Sequence, residues 1–328
     1  MKRILVTGSA GFVGANFVEY LLEKDPTVEV IGLDSLRHMG DSQRITKNER
    51  FSHFTHDLNT PISPVLSTKI GDVDIIVNIA SESAIDRSIS NPDSVVLNNV
   101  NLILNILDFA KRKNVEKFIH LSTDEVYGQY YDVPHKEWAK IVPSNPYSAS
   151  KACQEAIAIS YWRTYGTPLA IINCQNMFGK MQNVEKMIPK TIKYIYEGKT
   201  IPIYSSNGKS GARKYIHVRN LCSAINFVMQ RWVAPYTSAD FEELPDRYHV
   251  GGHDEISNVD LVDKISHIMN IPAKIELVEE TAIRPGYDKK YALDDSKLKS
   301  LGWKPELDFE DSLRDVIAWT LKNRAWMQ

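Results

Sequence analysis

Tyr147 and Lys151 stand four residues apart in a stretch, Asn145 to Tyr165, whose alanines, serines and apolar residues read as a helix. A helix puts both side chains on one face, and a phenol beside an ammonium is a candidate general base. At ~4 Å with an effective dielectric near 20, the ammonium stabilises the phenolate by at most ~4 kcal/mol, or ~3 pKa units. The phenol is therefore expected to fall from about 10 toward about 7. Upstream, Thr123-Asp124-Glu125 follows the apolar run from Lys117 to Leu121. Adjacent carboxyls at such a strand end can be pushed apart in pKa, one kept as an acid and the other ionised as a base. Taken singly, a Tyr-x-x-x-Lys spacing is usually an exposed helix face, and an Asp-Glu pair is usually an acidic turn. Their context has to decide.

The elements that would position these groups follow in chain order. Ile4 to Val6 reads as a buried strand running into Gly8-Ser-Ala-Gly11-Phe12-Val13-Gly14, which opens a helix carrying Phe17, Val18, Leu21 and Leu22. Glycines between a strand and a helix let the backbone approach a pyrophosphate at the helix N-terminus, so Gly8, Gly11, Phe12, Val13 and Gly14 are candidate cofactor contacts. A second strand, Val28 to Leu33, ends at Asp34, twenty residues after Gly14. A carboxylate there suits both ribose hydroxyls of NAD and repels a 2′-phosphate, although Arg37 nearby weakens that preference. A third strand, Phe51 to Thr55, leads to Asp57 and Leu58 at the adenine edge. A fourth, Asp74 to Asn78, leads to Ala80, Ser81, Glu82 and Ser83. Asn99 lies on the helix that follows and completes the cofactor set.

That helix, Pro92 to Lys113, carries apolar residues on more than one stripe, so a second face needs burial. With the Asn145 to Tyr165 helix it is expected to form the four-helix interface of a homodimer. Strand six is expected at Leu169 to Asn173. Helices are then expected at Glu185 to Tyr196, Val218 to Met229, Ser257 to Met269 and Phe309 to Lys322, with extended segments at Ile201 to Tyr204 and Arg247 to Val250. The fold class is α/β, a Rossmann-type doubly wound parallel sheet with a smaller, interleaved C-terminal α/β substrate lobe. Residues 1–175 with about 214–252 form the nucleotide-binding domain, and about 176–213 with 253–328 the substrate lobe.

Length and composition fit this. The chain has 328 residues, is 43% hydrophobic and carries a net charge of −2, so it can build two lobes and offers no electrostatic footprint for nucleic acid. Cys153, Cys174 and Cys222 are odd in number and lack a C-x-x-C spacing. They are expected as buried thiols in a reducing compartment, and no metal site is expected. The N-terminus has too short an apolar run for a signal core, and no run reaches the ~18 residues of a membrane span, so a cytoplasmic protein is expected.

The glycine loop, the Tyr147/Lys151 pair and the strand-end motifs resemble the extended short-chain dehydrogenase/reductase superfamily. Within it, Thr123-Asp124-Glu125-Val-Tyr-Gly128, Ser83-x-x-Asp86-Arg87-Ser88, Asn176-x-x-Gly179, Glu185-Lys186-x-Ile-Pro189 and Arg284-Pro-Gly-x-Asp288-x-x-Tyr291-Ala-Leu-Asp294 resemble the nucleoside-diphosphate-glucose 4,6-dehydratases, essentially end to end. The resemblance implies NAD as a cofactor regenerated each turnover. Tyr147 takes the 4-hydroxyl proton as C4 is oxidised, Thr123 positions that oxygen, and Lys151 holds the phenolate and the nicotinamide ribose. Glu125 removes the C5 proton, Asp124 protonates the departing 6-hydroxyl, and the hydride returns to C6, giving a 4-keto-6-deoxy sugar. The resemblance also implies substrate contacts at Ser83, Asn176, Glu185, Lys186, Arg213, Arg284 and Tyr287, with the arginines on the diphosphate.

The chain departs from the pattern at Met177-Phe178, at Lys214-Tyr215, and at Ala84 and Tyr287, where histidines are common. That leaves the base, dTDP or UDP, and the hexose open. A nucleotide-sugar 4-epimerase or decarboxylase on the same scaffold would leave Asp124 without a task, and a non-catalytic dinucleotide-binding protein would usually have lost Tyr147 or Lys151.

Overall fold

The computed structural model describes residues 2–130, 132–233, 244–279 and 288–328. Its centre is a seven-stranded parallel sheet made of β1 (Arg3–Thr7), β2 (Glu29–Asp34), β3 (Phe51–Thr55), β4 (Ile75–Asn78), β5 (Lys117–Thr123), β6 (Leu169–Cys174) and a late strand, Asp246–Val250. The late strand lies on the outer side of β6, and the order inward is β6, β5, β4, β1, β2, β3. These strands are apolar on both faces, as a sheet covered by helices on each side requires. Alternate residues separate: Ile4, Val6, Ile75, Val77, Ile119 and Leu121 join one core, while Leu5, Ile76 and Phe118 join the other.

On the first face lies α1 (Phe12–Lys24). The opposite face is covered by α2 (Pro64–Ile70), α4 (Pro92–Lys113) and α5 (Pro146–Tyr165), while α3 (Ile85–Ser90) packs beside α4 and α5. Sequence explains α5 well. Asn145 caps it through the amide of Ser148, whose hydroxyl takes the Asn145 amide in return, Pro146 occupies the first turn, and Gly166 ends it at φ +67°.

The remainder of the chain weaves between two cores. β7 (Asn176–Phe178) leads to α6 (Met187–Tyr196), β8 (Thr200–Ser206), β9 (Lys209–Ser210), β10 (Ala212–Arg213) and β11 (Tyr215–His217), which pairs with β7. α7 (Val218–Arg231) returns to the first face beside α1, and the late strand is β12. β13 (Ile256–Ser257), α8 (Asn258–Met269) and β14 (Lys274–Glu279) rejoin the second lobe, where β14 pairs with β8. After α9 (Ser296–Ser300), α10 (Phe309–Lys322) packs with α6 and α8 around Phe178, Ile192, Leu261 and Leu313. Leu298 and Trp303 instead join the first core, so the chain visits the large sheet once more within 253–328. No helix among the described residues is long and apolar enough to cross a membrane.

Two expectations change. The helix expected from Glu185 begins at Met187, with Lys186 as its N-cap. Cys174 and Cys222 are buried, but Cys153 is exposed because it falls on the outer side of α5.

Candidate active site

Strand order reverses between β1 and β4, the place where an open α/β sheet forms a crevice at its carboxyl edge. The hydroxyl of Thr7 ties the two strand ends together, accepting from the amides of Ile79 and Ala80 at 3.1 Å and donating to Asn78 Oδ1 at 2.7 Å. Gly8 turns at φ +70°, and a Cβ there would lie 3.0 Å from the Ala80 backbone. A Cβ on Gly14 would lie 2.0 Å from the Gly8 carbonyl oxygen, so only glycine permits this loop. Gly11 caps α1 without a side-chain hydrogen bond, leaving the first amides, those of Phe12 and Val13 among them, to an anionic ligand.

Asp34 is buried at the end of β2. Its oxygens accept the amides of Ala10 at 3.0 Å and Leu36 at 2.8 Å, so it also holds the glycine loop. Arg37 turns away from it to pair with Asp57 at 2.7 Å. Leu58 is buried, and its carbonyl accepts from Asn105. Ala80, Ser81 and Ser83 line the stretch after β4. Asn99, expected at the cofactor, instead spends its amide on both backbone groups of Glu82 and on the Ser150 hydroxyl, because it is fully buried beneath that stretch. This cradle fits a dinucleotide.

One strand further along, β5 delivers Thr123 to the sheet edge, and a single 3-10 turn, Asp124–Tyr127, presents the two carboxyls. Thr123 Oγ1 donates to Asp124 Oδ1 at 3.0 Å and accepts the Glu125 amide at 3.2 Å. Asp124 Oδ2 is buried without a hydrogen-bond partner among the described residues. Burial first, and the neighbouring Glu125 charge second, push the Asp124 carboxyl up to about 7.

The capped start of α5 brings Tyr147 to this group, its amide donating to the Ser88 hydroxyl at 3.1 Å. Lys151 follows one turn later, but its ammonium donates to Leu121 O at 2.9 Å and Gln154 Oε1 at 2.6 Å. The expectation of a lowered phenol is overturned in this form of the protein. Burial, then Glu125, Cys174 and Asp124, hold Tyr147 well above its ordinary value, against a hydrogen bond with Thr123. Burial draws Lys151 down to about 8, with Glu155 opposing. Lys151 and Tyr147 share a helix face, as their spacing requires, but burial and two nearby carboxyls decide the sign of the phenol's shift.

Of the residues expected at the substrate, Asn176 lies on β7 and Arg213 on β10. Arg213 donates to the carbonyls of Asp288 and Lys289 at 2.7 Å, stacks over Tyr291 at 4.7 Å and lowers the Asp124 carboxyl by its charge. Lys186 reaches Ser83 O at 3.0 Å and pairs with Glu185 at 3.6 Å, so it links the second lobe to the cofactor side. Arg284 and Tyr287 lie outside the described residues. Spacing alone missed three participants. Cys174 ends β6 beside Tyr147 and Lys151. Tyr291 donates to Asp288 at 2.8 Å, and Asp288 also accepts from Ser144 at 2.7 Å. Both Asp288 and Tyr291 lie in a motif visible in the sequence; only their contact with the site was not.

A parallel sheet with a glycine-rich dinucleotide loop at its switch point, and a Tyr-x-x-x-Lys helix facing it, defines an extended short-chain dehydrogenase/reductase. A model of the GDP-mannose 4,6 dehydratase family matches residues 5–316, and the chain belongs to that family. It is 36% identical over 324 residues to low-salt glycan biosynthesis protein Agl12 of Haloferax volcanii, covering 97% of this chain and 98% of that one. It is 31% identical over 356 residues to dTDP-glucose 4,6-dehydratase 1 of Escherichia coli K12, covering 99% and 94%. Among solved structures, DesIV, a dTDP-glucose 4,6-dehydratase from Streptomyces venezuelae with NAD and TYD bound, superposes with a TM-score of 0.88 at 32% identity, covering 99% of both chains. A Thermus thermophilus UDP-glucose 4-epimerase shares the fold, with a TM-score of 0.84 at 22% identity.

Proposed function

We propose that this protein is an NAD-dependent nucleoside-diphosphate-glucose 4,6-dehydratase, forming the 4-keto-6-deoxy sugar by oxidation at C4, loss of water across C5 and C6, and reduction at C6. The observation that carries this reading is the Thr123-Asp124-Glu125 turn, with Asp124 buried and Glu125 partly exposed beside Tyr147. An epimerase or a decarboxylase has no use for an acid held near neutrality beside a second carboxyl.

The cradle of Gly8, Gly11, Phe12, Val13, Gly14, Asp34, Asp57, Leu58, Ala80, Ser81 and Ser83 would hold NAD, with Asn99 supporting it from below. NAD, when bound, supplies reversible two-electron oxidation at the sugar. Tyr147 takes the 4-hydroxyl proton, with Thr123 orienting that oxygen. Burial and the nearby carboxyls raise its phenol, and Lys151, one turn away on the same helix face, is the cation whose charge opposes that shift. A ketone at C4 acidifies the C5 hydrogen, which Glu125 removes. Asp124, with a carboxyl near 7, is still partly protonated at working pH and gives its proton to the departing 6-hydroxyl. Arg213, Arg284, Asn176, Tyr287, Lys186, Glu185 and Ser83 form the substrate side, with the two arginines on the diphosphate.

The substrate is dTDP-glucose or UDP-glucose, and relatives named for dTDP-glucose at 31–33% identity favour the first. The protein acts as a homodimer through α4 and α5. Leu97 is 61% exposed on α4, Leu104 is 37% exposed, and Cys153 and Ala156 face outward from α5; pairing with a second copy would cover this face. The three thiols are free, which suits the cytoplasm.

The test is mass spectrometry of products formed in heavy water from dTDP-glucose, UDP-glucose and their N-acetylglucosamine counterparts. Loss of one water with one deuterium gained at C5 is expected. A product of unchanged mass and altered stereochemistry would make the protein an epimerase.

A further inference from the structure

Behind the catalytic strand lies an ion pair that neither the oxidation nor the elimination uses. Arg247 on β12 donates through Nη2 to Glu155 Oε2 on α5 at 2.7 Å, and both side chains are 0% exposed. Removing two charges from water is costly, so such a pair persists only with further hydrogen bonds around it. Here those bonds lead to both ends of the turn that carries the carboxyls. Asn173 Nδ2 bridges Glu155 Oε1 at 2.8 Å and the Thr123 carbonyl at 2.9 Å. Arg247 Nη1 donates to the Tyr127 hydroxyl at 2.8 Å, and Tyr127 closes the turn. That hydroxyl also donates to Glu137 O at 2.9 Å and meets His249 Nε2 at 2.8 Å. Arg247 is held in place by Trp138, 4.2 Å beneath it.

We propose that Glu155 and Arg247 are positioning residues: the pair pins the Thr123–Tyr127 turn at both ends to the helix presenting Tyr147 and Lys151, and keeps a negative charge one helical turn from Lys151. The pair affects turnover only through the dehydratase reading above, whereas its effect on Lys151 is independent of that reading. Tyr147 stands on α5, Asp124 and Glu125 on a turn outside the sheet's hydrogen-bond ladder, and a misplacement of ~1 Å costs about 10²-fold in rate. The pair is a buried ionic link between the two, beside the packing of Ala152 against the cluster that holds Val126 and Tyr127.

The electrostatic consequence follows from what surrounds Lys151. Glu155 faces it from its own helix, Cys174 from β6 and His120 from β5, with Tyr147 on the preceding turn and Arg247 beyond Glu155 on β12. On the side of α4, the carbonyl of Asn99 accepts from Gln154, the residue that itself accepts from Lys151. Burial lowers the Lys151 ammonium, and Glu155 is the first force opposing it.

Glu155→Gln alone strands Arg247 in the interior and risks the fold, so the decisive variant is Glu155→Gln with Arg247→Met, which removes both charges at similar volume. The first readout is the Lys151 titration in lysine-labelled protein by NMR, assigned by its loss in Lys151→Met. The second is kcat and KM at neutral pH, measured separately. In the double variant the Lys151 midpoint is expected to fall by about one pH unit, while kcat drops at least about tenfold and KM stays within about twofold. A Lys151 midpoint equal to that of the wild type overturns the proposal whatever happens to the rate. Wild-type protein that dehydrates no nucleoside-diphosphate-glucose overturns the dehydratase reading, and the Lys151 midpoint still decides the role of the pair.

Discussion

The hydroxyl of Thr123 donates to Oδ1 of Asp124 at 3.0 Å, yet this bond is outweighed by the burial of the carboxyl and the charge of Glu125 beside it. Asp124 therefore keeps its proton to about 7 instead of 3.8. Asp124→Asn is expected to lower kcat by about 10²-fold or more, the range for loss of a general acid. In the wild type the alkaline side of the profile should reflect the pair, since two carboxyls this close titrate together.

The same shift has a stability consequence. Between 3.8 and about 7 the folded state holds a proton that the unfolded state has lost, so stability falls as pH rises through this window, by up to about 4 kcal/mol at its end. Asp124→Asn should remove that part of the slope. Guanidinium unfolding at several pH values checks it, and a variant with the wild-type slope would show that Asp124 is already ionised at low pH.

Glu125→Gln and Tyr147→Phe should separate the two halves of the reaction. Without the C5 base, oxidation at C4 proceeds and stalls, so the near-ultraviolet absorbance of reduced nicotinamide should build up when substrate is added. Without the phenol, that signal should not develop. Normal turnover by Glu125→Gln would remove it as the C5 base, and an undiminished signal in Tyr147→Phe would remove Tyr147 as the oxidation base.

At Gly14, a methyl group would sit 2.0 Å from the Gly8 carbonyl oxygen. Backbone cannot yield as a flexible side chain does, so Gly14→Ala should cost about 1–3 kcal/mol and weaken NAD binding by at least about tenfold, from distortion of the helix N-terminus. Calorimetric titration with NAD and a melting curve test both parts; wild-type affinity would mean that the loop does not cradle the pyrophosphate.

On the outer face of α4 and α5, Leu97→Asp together with Ala156→Arg should leave the fold unchanged and convert a dimer to a monomer. Light scattering after gel filtration decides it. A wild-type protein that already runs as a monomer would dismiss the α4 and α5 interface.

Much of the site could be read from residue order because its key relations are local. Gly11 and Gly14 are demanded by contacts with the Gly8 carbonyl a few residues away, and Gly8 by its own positive φ as well as by the Ala80 backbone. Tyr147 and Lys151 share a helix face by covalent spacing, and Asn145, Pro146 and Gly166 mark the ends of that helix. The parallel strands were visible because burial on both faces leaves continuous apolar runs. Thr123, Asp124 and Glu125 followed, since a strand of known direction delivers its last residues to the edge where ligands bind.

Tertiary structure decided what depends on distance through space. Glu155 and Arg247 are 92 residues apart, and neither spacing nor composition predicts that they meet with no exposure to water. The directions of the Asp124, Tyr147 and Lys151 shifts come from desolvation and from charges on other elements, and for Tyr147 they reversed what its helix alone implied. Cys153 stays exposed while Cys174 enters the site, because the first lies on the outer face of α5 and the second at the inner end of β6. Sequence order supplied the groups and their local geometry; packing set their surroundings, which govern where each proton resides.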